Sequence, residues 1–135
     1  MPHETHLQYR KLWLALGWLL VASVWYLSLT PKPPQIDLGI SFFDKISHFT
    51  AYAVMMGWFM QLYQATRTRL FYALGFVCMG VAIEILQGMG TARMFEYADM
   101  LANSLGIVLL LSLMKTDVGN FMWWFEQKIL TRSCN

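Results

Sequence analysis

The sequence predicts an all-α membrane protein, with a four transmembrane helix bundle followed by a C-terminal interfacial amphipathic helix. Of its 135 residues, 57% are hydrophobic and only 13% are charged, whereas a soluble domain carries roughly 25% charged residues. The charges are also segregated, because four stretches, at 12–29, 46–63, 70–87 and 99–114, contain almost none. A bilayer core about 30 Å thick takes about 20 helical residues, and each stretch reaches that length with its polar flanks. A soluble helical protein with an unusually apolar core is the alternative.

We expect a single domain over residues 1–135, with membrane helices at about 11–29, 44–63, 69–88 and 97–115. Three prolines, Pro31, Pro33 and Pro34, end the first helix because proline cannot continue it. Ser41 and Asp44 have the spacing of a capping box, which predicts the start of the second helix. An apolar stripe after the fourth helix, flanked by tryptophans, predicts the interfacial helix at about 118–131; it consists of Val118, Phe121, Met122, Phe125 and Ile129.

The lysines and arginines predict the orientation of the chain in the membrane. Seven of them flank the cytoplasmic side of such a bundle, against three on the other side, Lys32, Lys45 and Arg93. Because cytoplasmic loops are enriched in positive charge, both termini are expected in the cytoplasm. The net charge of +2 and the absence of a basic run with interleaved aromatic residues give no reason to expect a nucleic-acid partner.

Polar residues recur at helical spacing in three of the predicted helices. Asp44, His48 and Tyr52 are spaced by four, with Lys45 beside them, so they share one face of the second helix. The third helix places Gly80, Glu84 and Gln87 on one side, and the fourth does the same with Asp99, Asn103 and Gly106. With both termini inside, these patches begin the second and fourth helices and end the third. We therefore expect all three at the outer face of the membrane.

Glu84 is the polar residue that most needs an explanation. It is expected near the end of its helix, where the macrodipole disfavours negative charge. A buried acid requires compensation, so we expect a cationic partner, either Lys45 or Arg93. The acids Asp44 and Asp99 have a simpler interpretation, since helix N-termini favour aspartate.

The order and spacing of these residues resemble the VanZ-like family of bacterial membrane proteins. The matching pattern is Asp44-Lys45-x-x-His48-x-x-x-Tyr52, then Glu84-x-x-Gln87, then Arg93-x5-Asp99-x3-Asn103-x2-Gly106. The resemblance covers about residues 28–106 and implies a small multi-pass protein of the bacterial inner membrane. The founding member of the family is linked to low-level resistance to the glycopeptide teicoplanin, and no settled biochemical activity comes with the family. One departure is Leu110, where many members carry a second glycine, which bears on how closely the fourth helix packs.

We take the polar patches as the candidate site. The candidate acid–base residues are Glu84, His48 and Asp44, and the candidate binding residues are Lys45, Tyr52, Gln87, Arg93, Asp99 and Asn103. The first hypothesis is an outer-leaflet site that binds or modifies a membrane lipid or a cell-wall precursor, with an effect on glycopeptide susceptibility. The alternatives are an intramembrane acid–base hydrolase or transferase acting on a lipid-linked substrate, and a proton-coupled transporter with Glu84 and His48 as relay.

No metal site or cofactor is expected from the motif itself. One histidine among carboxylates would suit Mg²⁺ or Mn²⁺ better than zinc, if a metal bound at all. The oligomeric state and the identity of the ligand stay open at this stage.

Overall fold

A computed structural model describes residues 7–30, 43–90, 95–113 and 115–133 of the chain. Within these ranges the protein is helical, with no strand. The elements are α1 (Arg10–Leu29), α2 (Phe43–Leu62), α3 (Thr66–Gly90), α4 (Tyr97–Ser112), a 3-10 turn (Asp117–Asn120) and α5 (Phe121–Ser133).

The all-α prediction is confirmed. The boundaries differ from the predicted ones chiefly in α3, which is longer at both ends, and in α4, which ends at Ser112 instead of about 115. The predicted start of the interfacial helix, near 118, falls in the 3-10 turn. Ser41 and Arg93 lie outside the described residues.

The helices α1 to α4 alternate in direction. Near the end of α3, the side-chain amide of Gln87 donates to the carbonyl oxygen of Ser28 near the end of α1, at 2.6 Å. At the opposite end, the indole of Trp58 in α2 donates to the carbonyl oxygen of Trp13 near the start of α1, at 2.9 Å. We call the first end, which also holds Lys45 at the start of α2, the Lys45 end, and the second the Trp13 end.

The closest helix pair is α2 with α4, which run parallel to each other. A Cβ built on Gly106 of α4 would lie 3.0 Å from the backbone nitrogen of Ala53 and still closer to the carbonyl oxygen of Phe49. Four residues further along α4, Leu110 lies against Gly57 of α2, whose built Cβ would be 3.3 Å from a Leu110 methyl carbon. The small residue at this level is therefore on α2, so Leu110 does not prevent close packing.

Large apolar side chains cover much of the outer surface of the helices. The exposed ones on α1, α3 and α4 are Leu12, Leu16, Trp18, Leu19, Tyr26, Leu27, Leu70, Phe71, Leu74, Ile85, Leu86, Met89, Tyr97, Leu101, Leu105, Val108 and Leu109. Two helices of the described chain, Arg10–Leu29 and Thr66–Gly90, are long and apolar enough to cross a membrane. The helix α4 is apolar but has only 16 residues, and α2 carries a charged first turn. Four membrane crossings therefore stay a prediction.

At the Trp13 end, Glu126 of α5 caps the start of α1. Its carboxylate, 3% exposed, accepts hydrogen bonds from the backbone nitrogens of Gln8 at 2.7 Å and Tyr9 at 3.1 Å. It also accepts one from the indole of Trp13 at 2.6 Å. The first N–H groups of a helix have no partner within the helix, and the macrodipole favours negative charge there. The buried acid is thus explained by capping.

On the same side of the bundle, two more polar side chains form hydrogen bonds with backbone groups at helix termini. The buried guanidinium of Arg69 donates to the carbonyl oxygens of Met60 at 2.6 Å and Tyr63 at 2.7 Å, where α2 ends. The side-chain oxygen of Gln61 accepts from the backbone nitrogen of Met122 at 2.7 Å, where α5 begins. The Gln61 bond attaches α5 to α2, and the Arg69 bonds join the start of α3 to the end of α2. They also satisfy backbone groups that would be costly to leave unpaired away from water.

The part of α5 that is buried against the bundle is narrower than the apolar stripe predicted from the sequence. Met122 and Glu126, one turn apart, are buried, whereas Phe121, Phe125 and Ile129 of the predicted stripe are exposed. Trp123 and Trp124 are exposed as well. Most of the aromatic surface of α5 is thus exposed, although the ring of Phe125 also packs edge-to-face on Trp13 of α1, with centroids 6.0 Å apart.

Candidate functional site

Lys45 is the centre of a charged group at the Lys45 end. Its ammonium lies 2.6 Å from Oδ1 of Asp99 on α4 and 3.6 Å from Oδ2 of Asp44, its neighbour in α2. It also contacts the carboxylate of Glu96, the residue that precedes α4. One ammonium therefore joins the starts of two parallel helices by interacting with three carboxylates.

His48 lies one turn further along α2, between two side chains of α4. Its Nδ1 is 3.2 Å from the side-chain oxygen of Asn103, and its Nε2 is 3.5 Å from Oδ2 of Asp99. Asp99 and Asn103 are themselves one turn apart and buried, at 5% and 3% exposure. The i, i+4 spacing on both helices thus places the imidazole within reach of both side chains.

Tyr52 and Gly80 connect this group to α3. A Cβ built on Gly80 would lie 3.1 Å from the amide nitrogen of Asn103 and 3.2 Å from the hydroxyl oxygen of Tyr52. The absence of a side chain at Gly80 therefore makes room for both polar groups against the backbone of α3. Tyr52 is buried, at 2% exposure.

Glu84 is stabilised by the start of another helix. It is 1% exposed, and its Oε1 accepts a hydrogen bond from the backbone nitrogen of Glu96, the N-cap residue of α4, at 2.6 Å. A helix N-terminus favours a carboxylate. Within the described chain the carboxylates paired with Lys45 are the three above, so Lys45 is not the ion-pair partner of Glu84. The expected pairing with Arg93 falls outside the described residues and stays a prediction.

The predicted site residues that the structure describes all lie at the Lys45 end, and they differ in the partners given for them. Asp44, Lys45, His48, Asp99 and Asn103 contact one another across α2 and α4, with Tyr52 adjacent. Glu84 and Gln87 lie at the same end but bond to backbone groups at the ends of neighbouring helices. Their burial is therefore explained at least in part by fastening α3 to α4 and to α1.

Sequence reasoning gave Glu96 no role in the site, although its carboxylate pairs with Lys45 and its backbone nitrogen binds Glu84. Its position three residues before Asp99, at the start of an apolar run, was the available signal. The sequence also gave no indication of the bonding roles of Glu126 and Arg69 at the Trp13 end, because their partners are distant in sequence or are backbone atoms. We define the Lys45 cluster as Asp44, Lys45, His48, Glu96, Asp99 and Asn103.

The chemistry open to the Lys45 cluster is acid–base, electrostatic or metal-binding. The two serines closest to it in sequence, Ser47 and Ser104, donate to carbonyl oxygens of their own helices at 2.9 Å, so neither is activated by a neighbouring base. Asp44, His48 and Asp99 each offer a ligand atom, and these atoms lie within 4.8 Å of one another. Such a group could transfer protons or hold a cation.

The fold and the site define a helical protein with two apolar helices that could span a membrane and a polar cluster at one end of its bundle. Comparison of the chain with known protein families, with curated proteins and with solved structures finds no match.

Proposed function

We propose that this chain is a VanZ-like integral membrane protein of the bacterial inner membrane. In this proposal it crosses the membrane four times, its termini are cytoplasmic, and the Lys45 cluster lies at the outer leaflet. There the cluster binds the polar part of a membrane lipid or of a cell-wall precursor. The support comes from the exposed apolar side chains of α1, α3 and α4, the distribution of Lys and Arg, and the resemblance of the polar motif.

The observation that carries a binding role is the pairing of α2 with α4 through charged side chains. Asp99 is not the N-cap of α4, because that residue is Glu96, and its carboxylate faces Lys45 and His48 of α2. The N-cap position therefore does not account for Asp99, and its place in the first turn of α4, which favours a negative charge, accounts for it only in part. Buried ionisable groups are costly in an apolar bundle, and a leucine at this position would be cheaper. Their retention favours a task for the cluster.

Transport is disfavoured by the core between the two ends. On the Trp13 side of Tyr52, the described core is formed by Met55, Met56, Phe59 and Met60, each no more than 1% exposed. A proton or substrate path would need polar groups at this level. In this layer α2 presents three thioethers and a phenyl ring to the core. Tyr72, which packs on Phe59, and Arg69, which bonds to Met60, belong to the Trp13 end.

The second candidate function is acid–base catalysis on the bound molecule. The observation that favours it is the orientation of His48 between Asp99 and Asn103, because an imidazole held by two side chains can pass a proton between fixed positions. Water would have to be the nucleophile, since Ser47 and Ser104 bond to their own helices. We rank binding first.

Native mass spectrometry of the protein extracted with its lipids tests the binding role. A lipid or lipid-linked precursor should stay bound to the wild type and be lost from Lys45→Met. Lys115→Met is the matched control, since it removes an exposed lysine beyond α4 at the Trp13 end. Equal lipid retention by all three proteins would contradict the proposal, and conversion of the retained lipid by the wild type would favour the enzyme.

The membrane orientation is tested separately with a reporter that is active only in the periplasm. Fusion after Asn135 should be silent, and insertion at Pro33 should give activity. The opposite pattern would place the Lys45 cluster in the cytoplasm. Teicoplanin susceptibility of cells that express the wild type or a cluster variant would test the phenotype implied by the family resemblance.

A further inference from the structure

We propose that Asp44, His48 and Asp99 form a binding site for a divalent cation that prefers oxygen ligands, such as Mn²⁺ or Mg²⁺. The ligand atoms would be one carboxylate oxygen from each aspartate and Nε2 of His48. The remaining positions would be open to water or to an oxygen of a bound molecule. The inference goes beyond lipid binding and holds for any ligand of the cluster.

The distances suit a cation after a small contraction. Ligands at about 2.0–2.2 Å from a metal lie up to about 4.3 Å from each other. The three donor atoms here lie within 4.8 Å of one another, so they need to approach by a few tenths of an ångström. Asp44, whose side chain is 49% exposed at the start of α2, is the donor that would shift.

The orientation of His48 points to a cation beside its Nε2. With the side-chain oxygen of Asn103 placed 3.2 Å from Nδ1 of His48, the amide acts as the acceptor, which assigns the ring proton to Nδ1. In the neutral ring Nε2 then presents a lone pair to Oδ2 of Asp99 at 3.5 Å. Two acceptors that face each other need a positive charge between them, either a second proton or a metal. A metal-binding histidine usually donates its other N–H in this way.

The second observation concerns the burial and the hydrogen bonding of the Asp99 carboxylate. It is buried, and its Oδ1 accepts no hydrogen bond of good geometry from the described residues. Its compensation is the charge of the Lys45 ammonium at 2.6 Å. Lys45 thus occupies the position of a tethered cation among Asp44, Glu96 and Asp99. A divalent ion would bind Asp99 in its place, with the ammonium kept near Glu96.

This arrangement makes Lys45 a competitor of the metal. Replacing it with methionine removes the positive charge beside the donor atoms. We expect Lys45→Met to tighten metal binding on the order of tenfold, whereas Asp99→Asn should weaken it at least tenfold. General damage to the fold would weaken binding in both variants, so the opposite signs separate the proposal from simple misfolding.

The test uses the full chain in detergent micelles, stripped of metal with a chelator and titrated with Mn²⁺. Electron paramagnetic resonance measures free Mn²⁺, and electron spin echo modulation detects a coordinated nitrogen. We expect saturable binding with a nitrogen signal that is lost in His48→Asn. This loss assigns the signal, because the chain has three histidines. Glu126→Gln, which alters a buried carboxylate at the Trp13 end, is the matched control and should bind as the wild type does.

The proposal is overturned by an absence of saturable binding, by a nitrogen signal that persists in His48→Asn, or by equal affinity of Asp99→Asn and Glu126→Gln. Weaker binding by Lys45→Met would also contradict it. Circular dichroism confirms that each variant is helical before titration. The lipid experiment above can be run in chelator, so that failure of one proposal does not decide the other.

Discussion

Replacing Gly106 with alanine should push α4 away from α2. The added Cβ would lie 3.0 Å from the backbone nitrogen of Ala53 and closer to the carbonyl oxygen of Phe49. Both are backbone atoms of α2, so no side-chain rotation relieves the overlap. Overpacking of this kind typically costs about 1–3 kcal/mol, and the higher helix propensity of alanine offsets about 1 kcal/mol. We expect the upper part of this range, with a net loss of about 2 kcal/mol.

Gly75→Ala provides the matched control, since the same change there should have the opposite sign. Gly75 is an exposed residue within α3, and a Cβ at this position meets nothing within 4 Å. Only the helix propensity then changes, so Gly75→Ala should stabilise the protein by about 0.5–1 kcal/mol. The two variants therefore differ by about 3 kcal/mol although their chemistry is identical.

The assay is reversible unfolding in mixed micelles by titration with a denaturing detergent, followed by far-ultraviolet circular dichroism. Asp99 and Asn103 precede Gly106 on the same helix, so a displaced α4 should also weaken the contact between Lys45 and Asp99. The Gly106→Ala variant should consequently lose coupling between these two charges. A Gly106→Ala protein as stable as Gly75→Ala would refute the close parallel packing of α2 and α4.

Three further experiments test the polar contacts. Glu126→Gln should destabilise the protein by about 1–3 kcal/mol, because donors at the start of α1 lose a charged acceptor; an unchanged thermal midpoint would contradict the capping role. Arg69→Met should cost about 2–4 kcal/mol by leaving carbonyls at the end of α2 unpaired, whereas Arg67→Met, at an exposed position of α3, should change stability by less than about 0.5 kcal/mol. Lys45→Met and Asp99→Asn should show a coupling of about 1–3 kcal/mol in a double-mutant cycle, and strictly additive effects would mean that the ion pair contributes nothing.

The number, order and type of the helices follow from the sequence because they depend on local properties. Apolar runs bounded by prolines and charges predict helices at nearly the observed places, since backbone hydrogen bonding and side-chain hydrophobicity act within a few residues. The convergence of Asp44, His48, Asp99 and Asn103 was predictable for the same reason. Their spacing defines one face on each helix, and alternating helix directions bring those faces to one end. The sequence is less decisive on whether α2 and α4 cross a membrane. The charges in α2 and the 16-residue length of α4 weaken the hydrophobic pattern expected of a membrane-spanning helix.

Only the tertiary structure decided which partner each buried polar group has. Glu84 accepts a hydrogen bond from the backbone nitrogen that begins α4, a contact that the spacing of residues in the sequence did not indicate. Glu126 binds the start of α1, more than a hundred residues away in the chain. Every residue except proline has a backbone N–H group, so the sequence does not indicate which of these groups will bond to a distant carboxylate. Which N–H group bonds to which carboxylate depends on how the helices pack. That packing is set by contacts such as those of Gly106 with α2 and of Gly80 with Tyr52. The residue types determined the helices and their polar faces, and the packing of those faces determined which charges compensate one another.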